Sequence, residues 1–315
     1  MAQTIAAMEL PAGAAPRRRL PFYLEVCVRL AREKPMGLFS AIVVLILIAM
    51  AVAAPLIAPF GPNELGAGTR LTGPSFSHLM GTDNLGRDVF SRVVYGARVS
   101  MTIGVAAVVV STVVGLGIGV LSGYFGGITD MIAQRFVDAF IAFPALVFLL
   151  AVAAVFRGHQ IPGLPATGLV STTNVVLMVS VGLLLGVGTS RIIRSATIQV
   201  KDSTYMEAAR SLGCGHGRMI FAYVIPNVMA PTITLATLGL GVAILIEASL
   251  SFLGLGVPPD TPTWGGMLSR EARSWMTQAP WMAIFPGGAL SLAVFAFNML
   301  GDALRDLLDP RLRNS

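Results

Sequence analysis

Six stretches of this 315-residue chain contain no Asp, Glu, Lys or Arg, and each is at least 18 residues long: Leu38–Ile57, Val99–Phe125, Ala139–Phe156, Val170–Thr189, Val228–Ile246 and Trp281–Leu300. At about 1.5 Å per residue such a stretch covers a hydrocarbon core of roughly 30 Å, the shortest with help from flanking residues. Backbone donors and acceptors in lipid must be satisfied within the segment, so each stretch is expected to be helical. Hydrophobic residues make up 55% of the chain and the mean hydropathy is +0.76, more apolar surface than a soluble core absorbs. The expected fold class is an all-α polytopic membrane protein with six transmembrane helices.

The formal charge of +6 suggests a nucleic-acid partner only until the cations are placed on this topology. Fifteen of the 22 Lys and Arg fall in segments 1–37, 126–138, 190–227 and 301–315, and seven fall in 58–98, 157–169 and 247–280. The positive-inside tendency then puts both termini in the cytoplasm and makes lipid the partner, with no nucleic acid. The chain divides into a cytoplasmic segment 1–37, a first helix and outer loop 38–98, a core 99–300 that contains a cytoplasmic loop 190–227, and a cytoplasmic tail 301–315. Arg17, Arg18 and Arg19 are placed to sit against anionic headgroups. A long basic segment precedes the first apolar run, which is read as a retained helix and not a cleaved signal. Cys27 and Cys214 both fall on the reducing side, so no disulfide is expected. Trp264, Trp275 and Trp281 lie in or beside the last outer segment and read as interface anchors. Val89, Phe90, Val93 and Val94 recur at helical spacing and suggest a short interfacial helix before the second span.

The polar excursion 190–227 contains "TYMEAARSLGCGHG", Thr204 to Gly217. Thr204-Tyr205-Met206-Glu207 fits a capping box, and Gly213 suits a left-handed stop. The helix between is about 12 Å long, too short to stand alone, so it must pack against something. Ala208 and Ala209 leave its backbone approachable, Met206 and Leu212 offer adaptable apolar contact, and Arg210 points toward a partner.

"EAARSLG" at Glu207–Gly213, with Pro226 in "YVIPN" thirteen positions after the glycine, resembles the signature of permease subunits of bacterial ABC importers. Tyr223 and Ile225 stand where that pattern has Ile and Leu. "GTDNLGRDVFSR" (81–92), "SFLGLGVPPDTPTWGGML" (251–268) and "PGGALSLAVFAFNMLGDALRDLLDPRL" (286–312) are similar to the C-type, second permease of the dipeptide, oligopeptide and nickel branch. The likeness runs from about Pro35 to Arg313. It implies the type I importer permease fold, a five-helix core plus an N-terminal helix, in the bacterial inner membrane. It further implies a homologous second permease, two ATPase subunits docked on the coupling helix (Thr204, Tyr205, Met206, Glu207, Ala208, Ala209, Arg210 and Gly213), and an extracytoplasmic binding protein. Di- or oligopeptides are the implied cargo, with nickel complexes or glutathione as alternatives. The two lysines, Lys34 before Pro35 and Lys201 before Asp202, fit no phosphate-binding loop, so ATP and magnesium are expected in the partner ATPases and the chain itself is no enzyme.

Glu247, directly after the fifth apolar stretch, is a candidate for lining the pathway or for a hydrogen bond to a neighbouring helix. Asn298 reads as interhelical glue, and Asp83 and Asp88 as turn caps. His78, His159 and His216 are too dispersed for one metal site and read as solvated. Pro144, Pro231, Pro286 and the glycines in the spans serve either kinks or close packing. An ion-coupled secondary transporter would carry acids within its spans and an intramembrane hydrolase would carry a histidine there; the six stretches hold neither.

Overall fold

The computed structural model describes residues 30, 33–165 and 168–308, and among them there are helices and connecting turns but no strand. Arg17–Arg19, Cys27 and the tail beyond residue 308 lie outside the described residues, as do the side chains of Arg270 and Glu271. Helix α1 is Pro35–Val52, followed by one turn, α2 (Ala54–Ile57). The 37-residue α3 is Val89–Phe125, α4 is Gly127–Ile141, α5 is Ala145–Phe156, and α6 is Thr172–Lys201. A short α7 (Thr204–Ser211) and one turn, α8 (His216–Arg218), lead through π-helical residues Met219–Val224 into α9 (Ile225–Phe252). Two short helices, α10 (Trp264–Met267) and α11 (Arg270–Trp275), precede α12 (Trp281–Leu308).

Five helices are long and apolar enough to cross a membrane: α1, α3, α6, α9 with its leading turns, and α12. The sixth expected crossing, Ala139–Phe156, is not one helix. It is split between α4 and α5, whose axes meet at 82°, and the pair taken together is apolar enough to count as a sixth, broken span. Pro144 is the reason: it sits in the break at ψ 120°, where its ring excludes the preceding turn from continuing as helix. The expected interfacial helix is also corrected. Residues 89–98 are the first turns of α3, which runs unbroken for about 55 Å. Val89, Val93 and Val94 are buried there under the outer segments.

Alternating turns put residues 53–88, 157–171 and 253–280 at one end of the bundle, here the loop end. The start of α1, the end of α12 and the turn 202–215 meet at the other, the terminal end, where Lys34 Nζ lies 2.6 Å from Asp306. The most extensive packing is between α3 and α6. A Cβ added at Gly119 would come 2.7 Å from the Ser190 carbonyl oxygen, one at Gly123 2.9 Å from that of Arg194, and one at Gly186 2.8 Å from that of Ser111. Gly115 and Gly119 on α3 therefore face Gly186 and Ser190 on α6, while Gly123 lies against Arg194 and Thr197 and Gly182 against Ala107 and Val110; a small residue at every fourth position of both rows lets the backbones touch. Arg194 and Arg191 of α6 pair with Asp130 and Asp138 and hold α4 against it.

At the loop end the two aspartates act as turn caps. Asp88 accepts the Ser91 N–H at 2.8 Å to start α3, and Asp83 accepts those of Leu85 and Arg87 at 2.8 and 2.9 Å. His78, expected in solvent, is instead buried with Nδ1 3.0 Å from Asp88. Trp264 is likewise not an interface anchor: it is fully buried, and its indole N–H donates to the Val93 carbonyl at 3.0 Å. Trp281 is half-buried and donates to Thr82 at 3.0 Å. The Asn298 side chain donates to Val294 of its own helix while lying against Gly241 of α9, so it joins the two helices by packing.

Candidate functional site

Helix α7 protrudes at the terminal end on a shorter excursion than 190–227, because α6 stays helical to Lys201 and helix resumes at His216. Its start differs from the expected capping box. Ser203, not Thr204, is the N-cap, in extended conformation (φ −82°, ψ 148°), and no side chain caps the helix. Only Asp202 and Ser203 separate α6 from α7, and the Ser203 hydroxyl is drawn back to the Val200 carbonyl at 2.6 Å. Thr204 is thereby the first helical residue, and Glu207 is exposed with no capping role.

The end of α7 follows expectation. Gly213 has φ +77°, its N–H reaches the Arg210 carbonyl at 3.0 Å, and the Cys214 N–H reaches that of Ala209 at 3.1 Å. These two bonds close the last turn, and the left-handed backbone between them is what selects glycine.

Eight residues are too few for an isolated helix, so the inner face decides whether α7 is fixed. Met206 is fully buried and Ala209 nearly so. Met206 joins Val120 and Tyr124 of α3, Ile193 of α6, Met219 and Val224 of the π-helical turn, and Val228 of α9 in one apolar cluster. The buried Tyr124 adds a polar tie, its hydroxyl lying 2.9 Å from Nδ1 of the exposed His216. Tyr124, His216 and Met219 were not candidates from sequence. No local pattern marks Tyr124, which joins Met206 only through tertiary packing, whereas His216 and Met219 lie on the turns that follow α7.

The outer face carries Tyr205, Ala208 and Leu212, at positions i, i+3 and i+7, all exposed. Leu212 is 85% exposed, an isolated large apolar side chain at the tip of the excursion. Thr204, Glu207 and Arg210 flank this stripe and are also exposed. The expected grouping of Ala208 with Ala209, and of Met206 with Leu212, is thus divided: one member of each pair anchors the helix and the other faces outward.

Glu247 does not belong to this site. It lies within α9, some 22 residues or about 33 Å of helix from Ile225. It is fully buried and accepts hydrogen bonds from Ser100 of α3 at 3.0 Å and Ser251 at 2.8 Å. It lines neither of two cavities. One, of about 180 Å³, lies between α3, α6 and α9 and includes Ser111, Thr189 and Thr232. The other, of about 980 Å³, opens at the loop end.

Residues 115–314 match the binding-protein-dependent transport system inner membrane component family, and residues 28–74 match the N-terminal transmembrane domain of oligopeptide transport permease C. The dipeptide transport system permease of Alkalihalophilus pseudofirmus is 38% identical, over 90% of this chain and 88% of that one. The glutathione transport system permease of Pectobacterium atrosepticum is 39% identical over 88% and 86% of the two chains, and that of Escherichia coli O1:K1 is 38% identical over 90% and 88%. With its apolar helices and type I permease fold, this multi-pass inner-membrane chain belongs to the binding-protein-dependent transport system inner membrane components, as a C-type permease of an ABC importer.

Proposed function

We propose that this chain forms half of the translocation pathway for di- or oligopeptides and takes its energy through α7 from partner ATPases. The observation that carries the reading is the division of α7 into an inner face locked to α3, α6 and α9 and an outer face of Tyr205, Ala208 and Leu212 left uncovered. A force applied to that outer face is delivered to three membrane helices at once, because Met206 and Tyr124 leave α7 no independent motion. A second permease completes the pathway, two ATPases hold ATP and magnesium, and a binding protein delivers cargo at the loop end. The cation bias places the terminal end and both termini in the cytoplasm. ATP binding moves α7 only if the closed ATPases favour one arrangement of the bundle over the other. Small peptides are the cargo by analogy with relatives named for dipeptide and glutathione transport.

The test is a double substitution on the outer face, Ala208→Glu with Leu212→Glu, in the assembled complex. Both side chains are exposed, so insertion is expected at the normal level. Charge in an apolar contact costs about 2 kcal/mol, so peptide uptake and co-purification of the ATPases should fall about 30-fold. Uptake at the wild-type rate would remove α7 from the coupling pathway. Ala209→Glu is unsuitable as a probe because Ala209 is buried and the substitution attacks the fold.

A further inference from the structure

We propose that the large cavity at the loop end is a carboxylate-binding vestibule that receives the C-terminal end of a small peptide before it enters the pathway. The inference rests on the peptide-importer reading above and adds the group that is recognised and the residues that recognise it. The cavity, about 980 Å³, lies where the end of α5, the start of α6, the turn 251–263 and the segment 266–274 converge. That volume suits a whole small-molecule ligand, and it is recessed between elements where a protein docking patch would be flat.

Among the described side chains its charge is one-sided. Arg92, Arg157, His159 and Arg273 all line it, and no Asp or Glu does among the described residues. Arg92 is already engaged, by the Pro62 carbonyl at 2.8 Å and by Asn63. Arg157 and Arg273 are both exposed, and neither is paired with a carboxylate among the described side chains. The Arg273 guanidinium lies 4.8 Å from the centroid of the Phe252 ring, which holds it at the wall while leaving its N–H edge available. Glu247 lies beneath Ser251 but is fully buried and takes no part in the lining.

A third source of positive potential comes from the backbone. Helix α6 begins at the cavity, with Thr172 and Thr173 in the lining and Ser171 as its N-cap. The N-terminus of this 30-residue helix adds a partial positive charge to the same space as the two guanidinium groups. An anion with two oxygens matches a guanidinium fork, and a peptide carries one at its C-terminus whatever its side chains. That makes the vestibule selective for a feature common to the cargo class and indifferent to sequence.

The experiment uses the complete assembly, both permeases and both ATPases in proteoliposomes with a dipeptide-loaded binding protein at saturation. Arg157→Gln with Arg273→Gln is expected to lower uptake turnover about ten-fold, the effect of losing charge-assisted hydrogen bonds. Arg157→Lys with Arg273→Lys should keep at least half of the turnover. The binding-protein concentration that half-maximally stimulates ATP hydrolysis should stay unchanged in both. Wild-type turnover in the glutamine variant, or equal loss in the lysine variant, overturns the vestibule alone. A raised half-maximal concentration with normal turnover at saturation also overturns it, since the arginines would then hold an acidic patch of the binding protein. Absence of dipeptide uptake by the wild-type assembly overturns the importer reading and the vestibule together.

Discussion

Gly119→Leu is expected to lower the melting temperature of the detergent-solubilised subunit by about 6 °C or more, and to deplete it from membranes, while Gly117→Leu leaves both unchanged. The two glycines are two positions apart on one helix and have identical propensity, so the difference isolates packing. A Cβ at Gly119 falls 2.7 Å from the Ser190 carbonyl oxygen and 2.8 Å from Ile193 Cβ; one at Gly117 meets nothing within 4 Å. A carbonyl oxygen of a helix cannot rotate aside as a side chain does. Relief therefore requires α3 and α6 to separate along the whole row that Gly115 and Gly123 share. Overpacking a core costs roughly 1–3 kcal/mol where side chains yield, and a backbone clash stands at or above the upper figure. In a membrane this close approach is itself the main attraction between helices, because lipid offers no hydrophobic drive to compensate. Equal melting temperatures for the two variants would show that α3 and α6 are held by something other than their small residues.

The contrast between Gly117 and Gly119 also marks how far sequence carries. That five long apolar helices exist is dictated by lipid, which imposes helical hydrogen bonding on any charge-free stretch, so their identity was legible. Which face of each helix meets protein was not, since both faces are apolar and hydrophobic periodicity vanishes. The glycine spacing in "GLGIGVLSG" was visible, but its partner row lies some 70 residues away on α6. Pro144 was legible as a possible kink, but where α4 would lie was not, since Asp130 and Asp138 find their partners Arg194 and Arg191 more than 50 residues on, on α6. At the candidate site the glycine stop at Gly213 was readable because a left-handed residue is a local requirement. The capping box was misread because Ser203, one residue earlier, offers an equally good start and the short link to α6 selects it. Trp264 was read as an interface anchor and His78 as solvated, and the partners Val93 and Asp88, which neither local pattern shows, explain why both are inside.

Glu247 supplies the second large effect, with Glu247→Leu expected to destabilise the subunit by about 2–5 kcal/mol and Glu247→Gln by about 1 kcal/mol. The carboxylate accepts from Ser100 and Ser251, and each hydroxyl oxygen in turn receives a backbone N–H from the loop end: Trp264 at 3.4 Å on Ser100 and Val257 at 3.3 Å on Ser251. One buried acid therefore fastens α3, α9 and the turn that walls the vestibule. Leucine fills much of the same volume but leaves both hydroxyls without an acceptor in a site with no solvent access, and each lost partner carries the full desolvation cost. Glutamine retains one acceptor oxygen, and a serine hydroxyl can turn to accept from its amide, so most of the network survives. The alternative, a carboxylate in the transport pathway, predicts the opposite ordering of observables: glutamine would abolish uptake at unchanged stability. Melting temperature and uptake measured on both variants separate the two roles. Full burial, the two hydroxyl donors and the absence of Glu247 from either cavity lining favour the fastening role. A leucine variant as stable as wild type but inactive would return Glu247 to the pathway and leave the attachment of the loop-end turn to Trp264 and Ser100 alone.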